Sequence, residues 1–470
     1  MSFVDMLMYY GRTCPQKQAI ILADRLITFG MLASGIRSVA EAISEAGLTR
    51  NHIVAVRIDS PTRHLIVVSA LYRLGIVSLS LAGSLDPSQG GVKIEAVISD
   101  ENKLFPGLGR TVLMQDAWFV RDGLNGPKPA HFAPDDLSRI IMSSGTTATP
   151  KAIGQTARVV EDRIVAGRRT LALAPWDRMM CLPPLTSSLG FGSALQALAY
   201  GHTVVVADSA LDALQMISLY GVELLIANPQ HLKAMVEAHR ENPLPTPSLR
   251  LIKYGGNALA PSLAADVRQR FCNTVMCVYS STESGPIAYS HIDHILANPG
   301  STGIVAPWVD VEILGPNDQP VQAGIEGRLR VRSEWQGYDL KEGPDAAKNW
   351  MYPGDLARVS SDGVLTLIGR SADAIRVGGA FVSPEQIEQA LFGFPGIADV
   401  AAVGMPCAGG GEDIWLAVIS DTGIDQNSLR AFLLSKNPLW NMATIKIVPR
   451  FRRNDMGKIV RARVREILAS

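Results

Sequence analysis

Short apolar runs alternate with helix-spaced segments through the first two-thirds of the chain. Residues 203–207 (TVVVA) and 222–227 (VELLIA) are predominantly apolar, β-rich runs of strand length, and residues 230–240 have helical spacing. Such alternation predicts crossover units and mostly parallel sheets. The most apolar stretch, 65–83, is interrupted by Arg73 and diluted by Ser69, Ser78 and Ser80. It reads as a buried helix and strand, not as a membrane span. After about Gly300 the texture changes. Residues 309–314, 328–332 and 364–368 read as short strands between Gly, Asp and Pro turns, a small β subdomain over about 300–370.

A further boundary falls just after Gly369 and Arg370. Beyond it Ser383, Pro384 and Gln386 spell a helix start, with a hydroxyl N-cap, proline at the first helical position and a capping-box partner. Strands at 400–403 and 415–419 follow. The expected fold class is α/β: a large N-terminal domain of α/β-layered sheets, residues 1–371, followed by a small α+β C-terminal domain, residues 372–470.

Charge removes several function classes. The 470 residues carry 44 Lys+Arg against 44 Asp+Glu, so no global footprint for nucleic acid or anionic lipid exists. With 47% hydrophobic and 19% charged residues the chain forms cores rather than disorder. Five scattered cysteines without a CxxC pair argue against a disulfide framework or zinc site, and no leader or lipid signal is legible. The expected setting is a reducing cytoplasm. Cys272 and Cys277 read as buried thiols, and the pair His291 and His294 around Asp293 reads as a surface loop lacking a third metal ligand.

Candidate chemistry begins where the apolar run 139–142 (RIIM) enters 143–151 (SSGTTATPK). Ser144, Thr146, Thr147 and Lys151 make a flexible anion cradle, of hydroxyls and backbone N–H groups plus one ammonium. The spacing is not that of a Walker loop, and a solvated Ser/Thr loop is the plainer alternative. A second strand, 274–278, runs into Tyr279, Ser280, Ser281, Thr282 and Glu283. An aromatic face for a base, a hydroxyl for a phosphate and a carboxylate for Mg²⁺ fall within five residues; an ordinary strand-to-loop corner is the alternative. Farther on, Asp355 suits ribose hydroxyls, Arg370 can fork onto ribose or phosphate, and Lys458 follows Gly457 on a loop near the end.

In this order and spacing, the five stretches resemble the adenylate-forming superfamily of acyl- and aryl-CoA synthetases, nonribosomal adenylation domains and luciferases. Residues 27–29 (ITF), 254–259 (YGGNAL), 299–303 (PGSTG) and 378–384 (GGAFVSP) extend the resemblance over nearly the whole chain. The resemblance implies two half-reactions: a carboxylate attacks the α-phosphate of ATP, giving acyl-AMP and pyrophosphate, and a thiol of CoA or of an acyl carrier protein then displaces AMP. It implies that Lys458, Thr282 and Glu283 are catalytic, with Mg²⁺ on Glu283. It also implies that Gly255, Gly256, Asn257, Tyr279, Ser281, Asp355 and Arg370 join the phosphate-loop residues around ATP. The C-terminal domain is then mobile, bringing Lys458 for the first step and the Gly378–Gly379 face for the thiol.

Some positions depart from the pattern. Ala148 and Ala152 stand in the phosphate loop where glycine is usual, Ser280 replaces a glycine, Pro353 replaces a threonine, and Ala372 occupies a hinge position usually held by Asp or Lys. On the acyl side Ser187 takes the place of a His or aromatic gate. Tyr254, Gly255, Ser187 and Gly190 are the expected pocket residues, with Ser281 and Pro286 as weaker candidates; several of them read equally well as packing. No Asp for an α-amino group is evident, so the expected substrate is a simple carboxylic acid. Transfer of the adenylate to an amine or hydroxyl, and a catalytically silent nucleotide-binding module, are the competing readings.

Overall fold

Two sheets share one buried layer, and the alternation of the sequence explains both. The computed structural model describes residues 2–81, 91–120, 126–143, 151–171, 175–256, 259–298, 301–315, 317–377, 380–391, 394–407, 411–420, 423–453 and 459–469. A 13-stranded sheet is parallel through its middle. There Val275–Ser281, Leu251–Gly255, Leu224–Ala227, Arg178–Cys181, Thr203–Val205 and Gln18–Ile21 lie side by side. A 7-stranded sheet has Arg110–Leu113, Ala96–Ser99, Ile53–Arg57, Val77–Ser80 and Leu137–Ser143 in parallel, then Lys151–Thr156 and Tyr338–Asp339 antiparallel.

These parallel strands are apolar on both faces because helices or the second sheet cover both. Val54, Val56, Ala96 and Ile98 of the smaller sheet share a core with Met179, Cys181, Leu224 and Leu251 of the larger one. The helices Phe29–Glu45, Pro61–Arg73 and Ser188–Ala199 contribute to the same core. Residues one place along, such as Ile252, Tyr254, Leu225 and Met180, face the opposite core with Leu214, Leu232 and Val267. Each fully buried side chain of this size stabilises by roughly 1.5–3 kcal/mol. The stretch 65–83 takes in most of the buried helix Pro61–Arg73 and all of the strand Val77–Ser80, as expected, and no described helix is long and apolar enough to cross a membrane.

The strands beyond Gly300 have their own core, around Ile287, Val309, Leu329, Val331 and Leu365. They do not form a separate sheet. Ser301–Val305 pairs with Gly285–His291, so Val364–Arg370, Asp355–Val359, Gly327–Ser333 and Val309–Leu314 continue the 13-stranded sheet. After Arg370 the chain makes the hairpin Ile375–Val377/Ala380–Val382 and a three-stranded sheet of Asp399–Pro406, Glu412–Ile419 and Thr444–Ile447. Ile387, Leu391, Leu416, Leu429 and Trp440 form one core of this part, and Ala401, Ala417, Val464 and Leu468 another. The helix Pro384–Leu391 starts as the sequence indicates: Gln386 N–H donates to Ser383 Oγ at 3.4 Å, and the Ser383 hydroxyl donates to Glu385 at 2.9 Å.

Candidate active site

In open sheets of this kind, ligands gather at the carboxyl ends of the parallel strands. Leu137–Ser143 and Val275–Ser281 each end in one of the hydroxyl-rich segments found in the sequence. Ser144, Thr146, Thr147, Asn257, Gly378, Gly379 and Lys458 lie outside the described residues, as does Ala148. Of the phosphate loop the structure therefore places its last member. Lys151 is exposed at the start of Lys151–Thr156, with Nζ 3.6 Å from Asp339 Oδ2, and Ala152 next to it is fully buried.

The corner after Val275–Ser281 is built tightly. Ser281 Oγ accepts the Ser284 N–H at 3.0 Å and lies 2.9 Å from Ser284 Oγ, so this hydroxyl closes the turn. Thr282 and Glu283 are half-buried beside it. Their backbone is held by Arg163, from the helix Ala157–Leu171, a residue that no motif in the sequence marks. Its guanidinium donates to the carbonyls of Thr282 at 3.1 Å, Glu283 at 2.5 Å and Trp335 at 2.8 and 3.1 Å. Burial lowers its pKa to about 10, against the pull of Glu283. Gly337 N–H adds a 2.8 Å bond to the Glu283 carbonyl. The next two residues, Tyr338 and Asp339, pair with Lys151–Thr156, the strand that leaves the phosphate loop. Arg163 and residues 335–339 thus tie together the two segments expected to handle phosphate.

A second cluster centres on Asp355, 4% exposed at the start of Asp355–Val359. Arg370 Nε pairs with its Oδ1 at 2.9 Å, and the Tyr279 hydroxyl donates to Oδ2. Burial and the Asp355 carboxylate raise the Tyr279 pKa well above its ordinary value, so the phenol stays protonated and a donor. Arg370 also donates to the Pro353 carbonyl at 2.6 Å, so its guanidinium serves to position Asp355. Gly354, between Pro353 and Asp355, has φ of +82°, a conformation that favours glycine.

On the acyl side the residues divide. A Cβ on Gly255 would lie 3.1 Å from Val278 Cγ1 and 3.9 Å from Leu189 Cδ2, so Gly255 faces the first turn of Ser188–Ala199. Tyr254 faces away from it: it is 1% exposed in the opposite core, and its hydroxyl bonds Cys277. The period-two alternation of the strand puts these neighbours on opposite faces. Ser187 is the N-cap of Ser188–Ala199, accepting from Gly190 N–H at 3.1 Å and donating to the Pro184 carbonyl at 2.7 Å. A Cβ on Gly190 would collide with the carbonyls of Pro183 and Pro184. Packing thus accounts for both residues. Gly256 has φ of +108°, Pro286 is half-buried and Ser280 exposed.

Near the end of the chain, three residues after Lys458, Arg461 is 8% exposed. Its guanidinium meets Asp373 at 3.4 Å, Glu385 at 2.7 Å and Glu388 at 2.6 Å, and donates to the Ala402 carbonyl at 2.8 Å. Burial, set against the attraction of Arg461, raises Glu388 to a pKa of about 7. Asp373 directly follows Ala372, which is exposed.

The residues fit a magnesium nucleotide by their donor chemistry. Asp355 and Tyr279 offer a buried acceptor and an aromatic face, and Glu283 offers one hard oxygen ligand. No group of three or more His, Cys, Asp or Glu that could hold a metal occurs among the described residues. A lone carboxylate suits Mg²⁺ that arrives with its phosphates. His291 and His294 are engaged locally, with Asp293 at 3.2 Å and with Ser301 Oγ at 2.8 Å. Cys272 and Cys277 are buried.

Known proteins resemble the chain throughout. A feruloyl-CoA synthase from Amycolatopsis is 25% identical over 97% of this chain and 96% of its own length. The o-succinylbenzoate CoA synthetase of Bacillus subtilis, solved with an acyl-adenylate, superposes with a TM-score of 0.87 at 20% identity, covering 98% of this chain and 97% of that one. The amide bond synthetase of Marinactinospora thermotolerans gives 0.81 at 23% identity, covering 99% of each chain. Residues 10–338 match the AMP-binding enzyme family, and the chain therefore belongs to that family, the adenylate-forming enzymes.

Proposed function

We propose that this chain activates a small carboxylic acid with ATP, releasing pyrophosphate, and transfers the acyl group of the resulting acyl-AMP to the thiol of coenzyme A. The family supports the reading, as do relatives such as the feruloyl-CoA synthase. The observation that carries it is the Asp355 cluster, a buried carboxylate fixed by Tyr279 and Arg370 beside the Thr282–Glu283 corner. That arrangement offers a nucleotide a ribose acceptor, a base platform and a phosphate-side carboxylate together.

In the first half-reaction a carboxylate oxygen of the acid bonds to the α-phosphorus. The bond from phosphorus to the bridging oxygen breaks, and pyrophosphate leaves with the electron pair. Asp355 orients the ribose, Tyr279 supports the base, and the Thr282 hydroxyl donates to a phosphate oxygen. Glu283 would hold Mg²⁺, which when bound would supply positive charge to the phosphates. Lys458 adds its ammonium where negative charge builds up, a contribution that preorganised electrostatics makes large. In the second half-reaction the thiolate sulfur bonds to the acyl carbon and AMP leaves. A mixed anhydride is reactive enough that positioning dominates this step. Residues 372–470 form a mobile domain pivoting at Ala372, and Gly378 and Gly379 line the thiol path.

The test is acid-dependent exchange of pyrophosphate into ATP with Mg²⁺, followed by product analysis with CoA, an acyl carrier protein and an amine. Exchange with thioester formed on free CoA is expected. Amide formation in preference to thioester would move the chain to the amine-acceptor reading. Tight ATP binding without exchange on a broad acid panel would leave a silent module.

A further inference from the structure

Arg73, the residue that interrupts the most apolar stretch of the sequence, ends the helix Pro61–Arg73 on the wall of a cavity of about 520 Å³. The cavity is remote from the candidate active site. Pro134, just before the strand Leu137–Ser143, and Ala157, just after the strand Lys151–Thr156, both line it. The phosphate-loop sequence joins the opposite ends of those two strands. Tyr72 and Phe132, with ring centres 5.0 Å apart, give the cavity an aromatic wall.

The other charged groups around the cavity have partners. Glu161 accepts the Phe3 N–H and the Tyr72 hydroxyl, each at 3.0 Å. Asp5 accepts the Ser2 N–H at 2.9 Å and lies 4.0 Å from His131 Nδ1. Arg158 pairs with Asp135 at 3.2 Å. The Arg73 guanidinium has no hydrogen bond or ion pair with a described residue, although its Nε is buried. Burial and the charge of Arg37 lower its pKa, while Asp5 acts the other way. An arginine stays charged across the physiological range, so the cavity wall carries a cation that no anion answers. Such a group favours an anionic occupant. The volume is that of a small-molecule pocket, far larger than an inorganic ion needs.

We propose that this cavity is a second ligand site, distinct from the active site, for a small organic acid whose carboxylate pairs with Arg73 and whose apolar body lies against Tyr72 and Phe132. A guanidinium can meet a carboxylate with two parallel N–H···O bonds, which sets the orientation of the acid. The site is independent of the ligase reading above.

The probes are one aryl acid, para-bromobenzoate, one alkyl acid, ω-bromohexanoate, and their neutral amides. Anomalous scattering from bromine locates each probe in soaked crystals of the full chain, and calorimetry measures its affinity in solution. A bromine peak is expected in the cavity for at least one acid, with the carboxylate on Arg73. The matching amide should bind there about tenfold more weakly or worse, and Arg73→Gln should weaken the acid by a similar factor. An acid bound in the active site would keep its affinity in that variant, since Arg73 is no part of it. Should Arg73→Gln fail to fold, the comparison of acid with amide on wild type decides. The site is overturned by bromine found only at the active site or nowhere, by equal binding of acid and amide, or by unchanged affinity in Arg73→Gln. A peak in the crystal without affinity in solution, binding at crystal concentration only, overturns it as well.

Discussion

The guanidinium of Arg163 holds the main-chain carbonyl of Glu283 at 2.5 Å, across 120 residues of sequence. The same side chain reaches Thr282 and Trp335. The planar fork of arginine, not its charge alone, meets three carbonyls at once. We regard Arg163 as a positioning residue for the phosphate-side corner. Arg163→Lys keeps a cation but abandons at least one carbonyl, and a buried group left unpaired costs about 1–3 kcal/mol. The expected result is an adenylation rate lowered about tenfold or more, with a higher Mg²⁺ requirement. Thioester formation from supplied acyl-AMP should be spared. A lower melting temperature with unaltered adenylation kinetics would reduce Arg163 to a structural clamp.

Glu283→Gln is nearly isosteric and leaves the backbone carbonyl with Arg163. The fold should persist while adenylation falls about 100-fold, roughly 3 kcal/mol, because Mg²⁺ loses a hard anionic ligand. Initial rates across a Mg²⁺ titration check this. Wild-type rates at limiting Mg²⁺ would make Glu283 an ordinary corner residue.

Lys458→Ala should separate the half-reactions. On the proposed mechanism the ammonium acts while pyrophosphate leaves, so acyl-AMP formation from ATP should be lost. Conversion of supplied acyl-AMP and CoA to thioester should continue, since the proposed second step does not use Lys458. Equal loss of both steps would contradict a domain that alternates about Ala372.

Lys253, 6% exposed in the middle of the strand Leu251–Gly255, predicts a pH-dependent stability. Its pKa falls from 10.5 in the unfolded chain to about 8 in the folded protein. Between those values the unfolded state binds the extra proton, so stability rises with pH; below about 8 both states are protonated and the full burial cost is present. Lys253→Met should therefore be more stable than wild type at pH 7, by up to about 3 kcal/mol. The advantage should shrink steadily as pH climbs from about 8 past 10.5. Urea melts at pH 7 and pH 10 read it directly. A gap that stays constant with pH would mean the lysine is not the titrating group.

Local patterns were the most legible part of the sequence. The strand Val309–Leu314 and the start of Pro384–Leu391 follow from alternation and capping, which operate within a few residues. Partnerships set by tertiary packing were not. The run 139–142 begins with Arg139, whose polarity suggests solvent, yet it is 3% exposed and stacks 3.3 Å from the centre of the Phe191 ring. Tyr254 and Gly255 sit in one motif, but only the neighbours on both faces reveal that they point oppositely. Ser187 reads from the sequence as a pocket candidate where a gate residue is usual, and its role as N-cap, with bonds to Pro184 and Gly190, emerges only from the turn. Arg163 carries no local signal at all, because its acceptors are backbone carbonyls, which any sequence supplies.

The Asp355 cluster has a consequence for nucleotide discrimination. Tyr279 and Arg370 already satisfy one oxygen each of the carboxylate before a ribose reaches it. Removing a sugar hydroxyl from the ligand then forfeits one bond without stranding a buried charge. If Asp355 holds the ribose as proposed, the site should separate ATP from its 2′-deoxy analogue by the net worth of a hydrogen bond to a charged group, about 1.5–3 kcal/mol, rather than by the larger penalty of an orphaned carboxylate. The same two donors make the cradle rigid, so selection of the sugar depends on a fit that exists before binding and little on any rearrangement during it.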